Sequence, residues 1–228
     1  MPKRLLAAAT AAFGLAASTV VASAGPAAAD SPCRITGITP TSVVVGLTPI
    51  SKRFDVRTSD CASRSHWDIT LGDYDGYVYT SSPYQTFAPY TNSDAGANSV
   101  TAEVSNGDDF TTARSWANGF YLKRNTGWQG FNASPEPARK GKPISIKGRL
   151  LIVDWDNNRY QATSGATVRV QFRTKTGSYT TVKTVKGGRD GWVRTTVTAK
   201  RTGVWRLSYI GNSFAGAANA KGDAVTVK

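Results

Sequence analysis

In the second half of the chain, Val168, Val170 and Phe172 alternate with Arg169, Gln171 and Arg173. A run with that period fits a strand with one buried face and does not fit a helix. The same grain recurs at 144–152, 179–186, 192–200, 204–210 and 223–228, with turn residues between, among them Thr176, Gly177 and Ser178, then Asp190 and Gly191, then Gly203. Short strands with no 3.6-residue periodicity must bury their apolar faces against one another, and a β-sandwich does this. The first half is less regular, with candidate strands at 34–38, 42–45, 52–58, 67–71, 76–80, 99–105 and 111–123. Composition points the same way, since 22 Gly and 10 Pro beside abundant Thr, Ser and Val disfavour a helical bundle. With one His and two Cys, metal clusters built on several such ligands are excluded.

Residues 1–29 read as a secretory signal: Lys3 and Arg4 form a charged start, an Ala-rich apolar run follows, and Ala27, Ala28 and Ala29 supply small residues before a cleavage point. No later segment approaches the roughly 20 apolar residues of a membrane-crossing helix, so no transmembrane segment is expected after cleavage and the protein is expected to be secreted, with cell-wall association as a further expectation. Cys33 and Cys61 are expected to pair in an oxidising compartment. If 34–38 runs antiparallel to 52–58, the start of one strand lies beside the end of the other, which brings the two cysteines together. The stretch 132–143 holds three prolines, which remove backbone donors and fix φ. It is therefore read as a Pro-rich hinge between an N-terminal domain at 30–131 and a C-terminal domain at 144–228.

Tyr209, Ile210, Gly211, Asn212 and Ser213, an Ala-rich stretch, and then Ala224, Val225, Thr226 and Val227 resemble the end of bacterial Ig-like domains of exported actinobacterial proteins. Asp94, Gly96, Asn98 and Val100 are similar to the immunoglobulin D-x-G-x-Y-x-C segment, with Asn98 and Val100 in place of its Tyr and Cys. The resemblance implies an all-β chain of two Ig-like β-sandwich domains in tandem. It implies neither a catalytic site nor a particular ligand.

Charge separates the halves. Residues 30–131 hold 8 Lys and Arg against 10 Asp and Glu, whereas 132–228 hold 18 against 5. If Val168, Val170 and Phe172 face the core, then Arg169 and Arg173 face outward; the same phase turns Lys147 and Arg149 outward beside Ile144 and Ile146, and Arg206 beside Trp205 and Leu207. With Arg194 these six residues are the candidate polyanion-binding set, expected to crowd one basic surface. In an exported protein of the kind the resemblance implies, the matching partner is an anionic cell-wall polymer or glycan; nucleic acid is not expected, because no recognition motif is present. The competing account is that the cations keep the sandwich soluble and guard its edges.

Three further chemistries can be weighed. Tyr74, Tyr77, Tyr79, Tyr84, Phe87 and Tyr90 suggest a carbohydrate-binding module, although cross-strand packing explains aromatic strands equally well. Asp154, Asp156 and Asn158 give the beginning of a calcium loop, but Arg159 stands at the expected Gly and Gly165 at the expected Glu. The shorter pairs Asp73 with Asp75 and Asp108 with Asp109 suit turns. His66, two residues from Asp68, has no accompanying nucleophile motif, so no enzymatic activity is expected and no cofactor beyond a possible calcium ion. The reading is a non-enzymatic binding or structural protein, with carbohydrate or calcium binding as alternatives.

Overall fold

The alternation in the sequence is realised as strands in a computed structural model that describes residues 33–61, 66–72, 76–89, 91–105 and 111–228. The expected signal segment, Asp73, Tyr74, Asp75, Tyr90, Asp108 and Asp109 lie outside the described residues. The class is all-β, as expected. Among the described residues the one helical element is a single 3₁₀ turn, Asn92–Asp94.

The first half contains β1 (Arg34–Thr39), β2 (Ser42–Val45), β3 (Ile50–Arg53), β4 (Asp55–Ser59), β5 (His66–Leu71), β6 (Gly76–Tyr79), β7 (Tyr84–Phe87), β8 (Gly96–Ser105) and β9 (Thr111–Arg124). One layer is a five-stranded sheet in the order β2-β9-β8-β5-β6, in which β2 runs parallel to β9. The antiparallel ribbons β1-β4 and β3-β7 form the facing layer. The expected strand at 52–58 is two strands, interrupted at Phe54. That residue is fully buried and packs with Phe87 and Phe120, whose ring centroids lie 6.1 and 5.8 Å away. Burying one such ring is worth about 1.5–3 kcal/mol, so the inward turn of Phe54 outweighs continuity of the strand. Cys33 and Cys61 form the expected disulfide, with an S–S distance of 2.04 Å, at the β1-β4 end where Arg34 pairs with Ser59.

The second half contains β10 (Thr126–Ser134), β11 (Pro143–Asp154), β12 (Arg159–Ala162), β13 (Thr167–Arg173), β14 (Thr180–Lys186), β15 (Trp192–Thr198), β16 (Gly203–Tyr209), β17 (Ala218–Asn219) and β18 (Asp223–Val225). Strand β11 pairs with β10, β12 and β15 in one sheet, and the other sheet runs β14-β13-β16 with β17 and β18 on β16. Ile144, Ile146, Leu150, Val193 and Val197 from the first sheet meet Val168, Val170, Phe172, Trp205 and Leu207 from the second in one buried cluster. This is the sheet-on-sheet core of a sandwich.

The change from one core to the other falls at Asn125, ahead of the expected hinge. Residues 126–131, assigned above to the N-terminal domain, pair with β11 through Thr126↔Ile152 to Gln129↔Arg149. The expected hinge at 132–143 is a strand end and a turn inside the second sandwich: Ala133 and Ala138 are buried in its core, and Ala138 bridges to Val227. Its prolines do exclude a central strand. They stop β10 at Ser134 and turn the chain back into β11, which is a turn's task rather than a linker's.

The two sandwiches are joined closely, and the described residues belong to one compact unit. Val153, near the end of β11, and Trp155, just after it, belong to the first core. The Asn125 N–H donates to the Val45 carbonyl at 2.8 Å, the Val153 N–H to the Asn125 carbonyl at 2.8 Å, and the Trp155 indole to the Gly46 carbonyl at 3.0 Å. On the other side, the Arg124 N–H donates to Phe214 O and the Gly216 N–H to Arg124 O, each at 2.9 Å. Backbone bonds of this kind leave the connection little freedom to swing.

Candidate functional site

The six cations named from the sequence fall into two groups of three. On the sheet built around β11, Lys147 lies directly across from Arg194, and Arg149 is the next outward residue along β11. On the other sheet, Arg169 and Arg173 flank Gln171, whose cross-strand partner is Arg206. Because the sheets pack through their inner faces, the two groups point in opposite directions. The expected single basic surface is therefore two surfaces. Period two sets which side of its own strand a residue takes, but not which of two packed sheets the strand joins.

The two surfaces differ in how their cations are held. On the β13-β16 side, the Arg206 guanidinium lies 3.8 Å from the centroid of the Tyr179 ring and that of Arg173 lies 5.2 Å from it. Arg206 Nε donates to Gln171 Oε1 at 2.8 Å, and Arg173 Nη1 to the Lys175 carbonyl at 2.9 Å. Stacking and neutral acceptors fix these groups without cancelling their charge. On the β11-β15 side, Arg194 makes an ion pair with Asp190 at 3.1 Å and lies 5.1 Å from the Trp192 ring centroid. Arg149 Nε donates to the Asp190 carbonyl at 3.0 Å. The Trp192 N–H, followed by Arg194, holds the Asp190 carboxyl below its ordinary value, so it carries full charge near neutrality and offsets one cation. Among the described residues the remaining ion pair is Arg159 with Asp154 at 4.0 Å.

Asp154 and Asp156 form a clamp. The Asn92 amide donates to Asp154 Oδ1 at 2.7 Å and to Asp156 Oδ2 at 2.6 Å, and the Asn92 N–H donates to Asp156 Oδ1 at 2.9 Å. Asn157 Nδ2 donates to Asp154 Oδ2 at 2.9 Å, and the Trp155 N–H donates back to Asn92 Oδ1 at 3.0 Å. All four carboxylate oxygens thus accept from protein donors, and the two amides, Asn92 first, hold Asp154 below its ordinary 3.8. Asn158 takes the left-handed φ of 48° that Asn tolerates in a turn, and it lines a 180 Å³ cleft with Leu47 and Trp155. Among the described residues no group of three His, Cys, Asp or Glu is arranged to hold a metal. The D-x-D-x-N spacing reads here as a lock between the sandwiches. Its key residue, Asn92, lies about 60 positions upstream, where local spacing gives no sign of it.

The aromatic series divides as well. Phe87 is fully buried, whereas Tyr77, Tyr79 and Tyr84 are exposed. Tyr77 and Tyr79 share the outer side of β6, with centroids 4.4 Å apart and planes crossed at 73°, so they offer no common flat platform. Partial desolvation on the sheet surface, then the Asp68 carboxylate, push the Tyr77 phenol above its ordinary 10.0. His66 and Asp68 do share a face of β5, with Ser105 and Glu103 opposite them, but Asp68 is turned to Tyr77. A separate cleft of about 410 Å³, of which residue order carries no sign, lies between β14 and β15 and is lined by Phe172, Trp205, Val182, Lys183, Lys200 and Arg201 among others.

No family model and no curated protein matches the chain. Among solved structures it is similar to three N-terminal domains of the bacteriophage RB49 highly immunogenic outer capsid protein, at 13% identity and TM-score 0.31, covering 86% of this chain and 70% of that one. It is similar to the D00–D0 domain of intimin at 14% identity and TM-score 0.31, covering 83% and 98% of the two chains. It is also similar to immunoglobulin domains 1–5 of Sidekick-1, at 10% identity and TM-score 0.26, spanning 38% of that chain. At these TM-scores and identities the likenesses carry no argument about this chain's fold or activity.

Proposed function

We propose that this is a non-enzymatic binding or structural protein acting outside the cytoplasm, and that its second sandwich associates with anionic cell-envelope polymer through two basic faces. The observation that carries this reading is the placement of Lys147, Arg149 and Arg194 on one outer face and Arg169, Arg173 and Arg206 on the other, with one carboxylate, Asp190, paired to the six. Such faces raise local anion concentration and encounter rate, and their hold weakens as salt screens it. Two opposed faces suit a flexible polymer that reaches both sides of the module, because a flat anionic membrane meets only one at a time. The formed disulfide supports an oxidising location, and among the described residues no helix is long and apolar enough to cross a membrane.

Retention on isolated cell walls is expected to fall steeply across a salt series and to vanish once the anionic polymer is stripped from the wall. Retention that ignores both treatments contradicts the proposal. The carbohydrate alternative predicts the opposite pattern, with retention in high salt and loss on Tyr84→Ala or Tyr77→Ala.

A further inference from the structure

The cleft between β14 and β15 lies where the two sheets of the second sandwich part at one edge. Strand β14 pairs with β13 alone and β15 with β11 alone, so neither sheet covers the opening. Its floor is the Phe172–Trp205 pair, with ring centroids 4.7 Å apart. Phe172 packs so closely over Gly203 that a side chain there would enter its ring, so glycine at 203 is what lets the ring lie there. A register shift opposite Val170 and Gln171 leaves Val182 without a ladder partner between Thr181 and Lys183, and Val182 is 52% exposed at the mouth. Bulges re-aim side chains in this way.

Around this apolar opening stand three cations. Lys183 Nζ reaches across to Thr195 Oγ1 at 2.8 Å, spanning the two sheets, and the Arg201 guanidinium lies 5.4 Å from the Phe172 ring centroid, beside Lys200. No carboxylate lines the cleft, and the two ion pairs among the described residues lie elsewhere. Lysine and arginine side chains only donate hydrogen bonds, so the rim lacks ionic acceptors and calls for a group rich in lone pairs and negative charge. A volume of about 410 Å³ lies within the usual range for small-molecule sites.

We propose that this cleft binds a single-chain amphiphile with an anionic head, its acyl chain lying on Phe172, Trp205 and Val182 and its carboxylate or phosphate held by Lys183, Lys200 and Arg201. The proposal is independent of polymer binding, since none of these residues belongs to the two basic faces. Calorimetric titration of the intact protein with dodecanoate and dodecyl phosphate, below their micelle concentrations, tests it. One molecule is expected to bind per chain, with dodecanol and inorganic phosphate each at least about tenfold weaker. The stronger of the two anionic amphiphiles identifies the head group. Lys200→Gln with Arg201→Gln should weaken dodecanoate about tenfold while leaving dodecanol unchanged, and Val182→Trp, at an exposed position, should weaken both by filling the mouth. Equal affinity for dodecanoate and dodecanol, indifference to these substitutions, or no binding of either anionic amphiphile overturns the proposal.

Discussion

The two sandwiches are built on the same inner plan and diverge on their outsides. Each closes a buried cluster of β-branched, Leu and aromatic residues between two layers. The outer side of the first presents Asp68 and Glu103 opposite one another near exposed tyrosines, while the second presents arginines and lysines on both outer faces. The buried cluster of the second sandwich contains no Lys or Arg, so the cation excess of that half lies outside its core. The halves also differ in reinforcement, since the first carries the disulfide and the second carries Trp155 into its neighbour's core.

The largest effect should come from cutting that last connection. Trp155→Ala removes a large, nearly buried side chain and its bond to Gly46, and it is expected to cost about 3–5 kcal/mol. A single calorimetric transition should then split in two, and an unchanged single transition would show that the sandwiches do not depend on this contact. Next comes the disulfide. Cys33→Ser with Cys61→Ser should cost about 2–4 kcal/mol, with hydrogen-exchange protection lost in β1 and β4 and kept in β11, β13 and β16. Equal loss in β11, β13 and β16 would mean that the disulfide stabilises both sandwiches rather than the first. The smallest effect is expected from Asn92→Ala, which should lower Tm by a few degrees at neutral pH. Asp154 has a depressed native pKa, so its contribution is present above the ordinary value of 3.8 and is lost as pH falls through the native one. The variant should therefore differ from the parent at neutral pH and converge with it in acid. Calcium should leave the parent's Tm unchanged, because all four carboxylate oxygens already have donors; a calcium-dependent rise would mean that the clamp opens to take the ion.

What the sequence revealed follows from the range of each signal. Alternation is local, so the inward set at Val168, Val170 and Phe172 and the outward set at Arg169 and Arg173 were readable from residue order. The cysteines were readable because pairing of two short strands fixes both ends at once. Strand β10 was missed because Gly127 and Gly130 break its pattern and the prolines after it suggested a linker. Long-range partners left no local trace: nothing near Asp154 announces Asn92, and nothing near Phe172 announces Arg201 or the opening beside Val182. The division of the basic residues between two sheets belongs to the same kind of information, because it depends on which strands pair.

That division gives the most direct test. Light scattering of the protein mixed with polyglycerol phosphate reports whether one molecule bridges two polymer chains. The native protein should produce salt-reversible clusters. Replacing Lys147, Arg149 and Arg194 by Gln, or Arg169, Arg173 and Arg206 by Gln, should preserve binding at low salt but abolish clustering, and replacing all six should abolish both. If the six-residue variant binds and clusters as the native protein does, the two basic faces are not the binding surfaces.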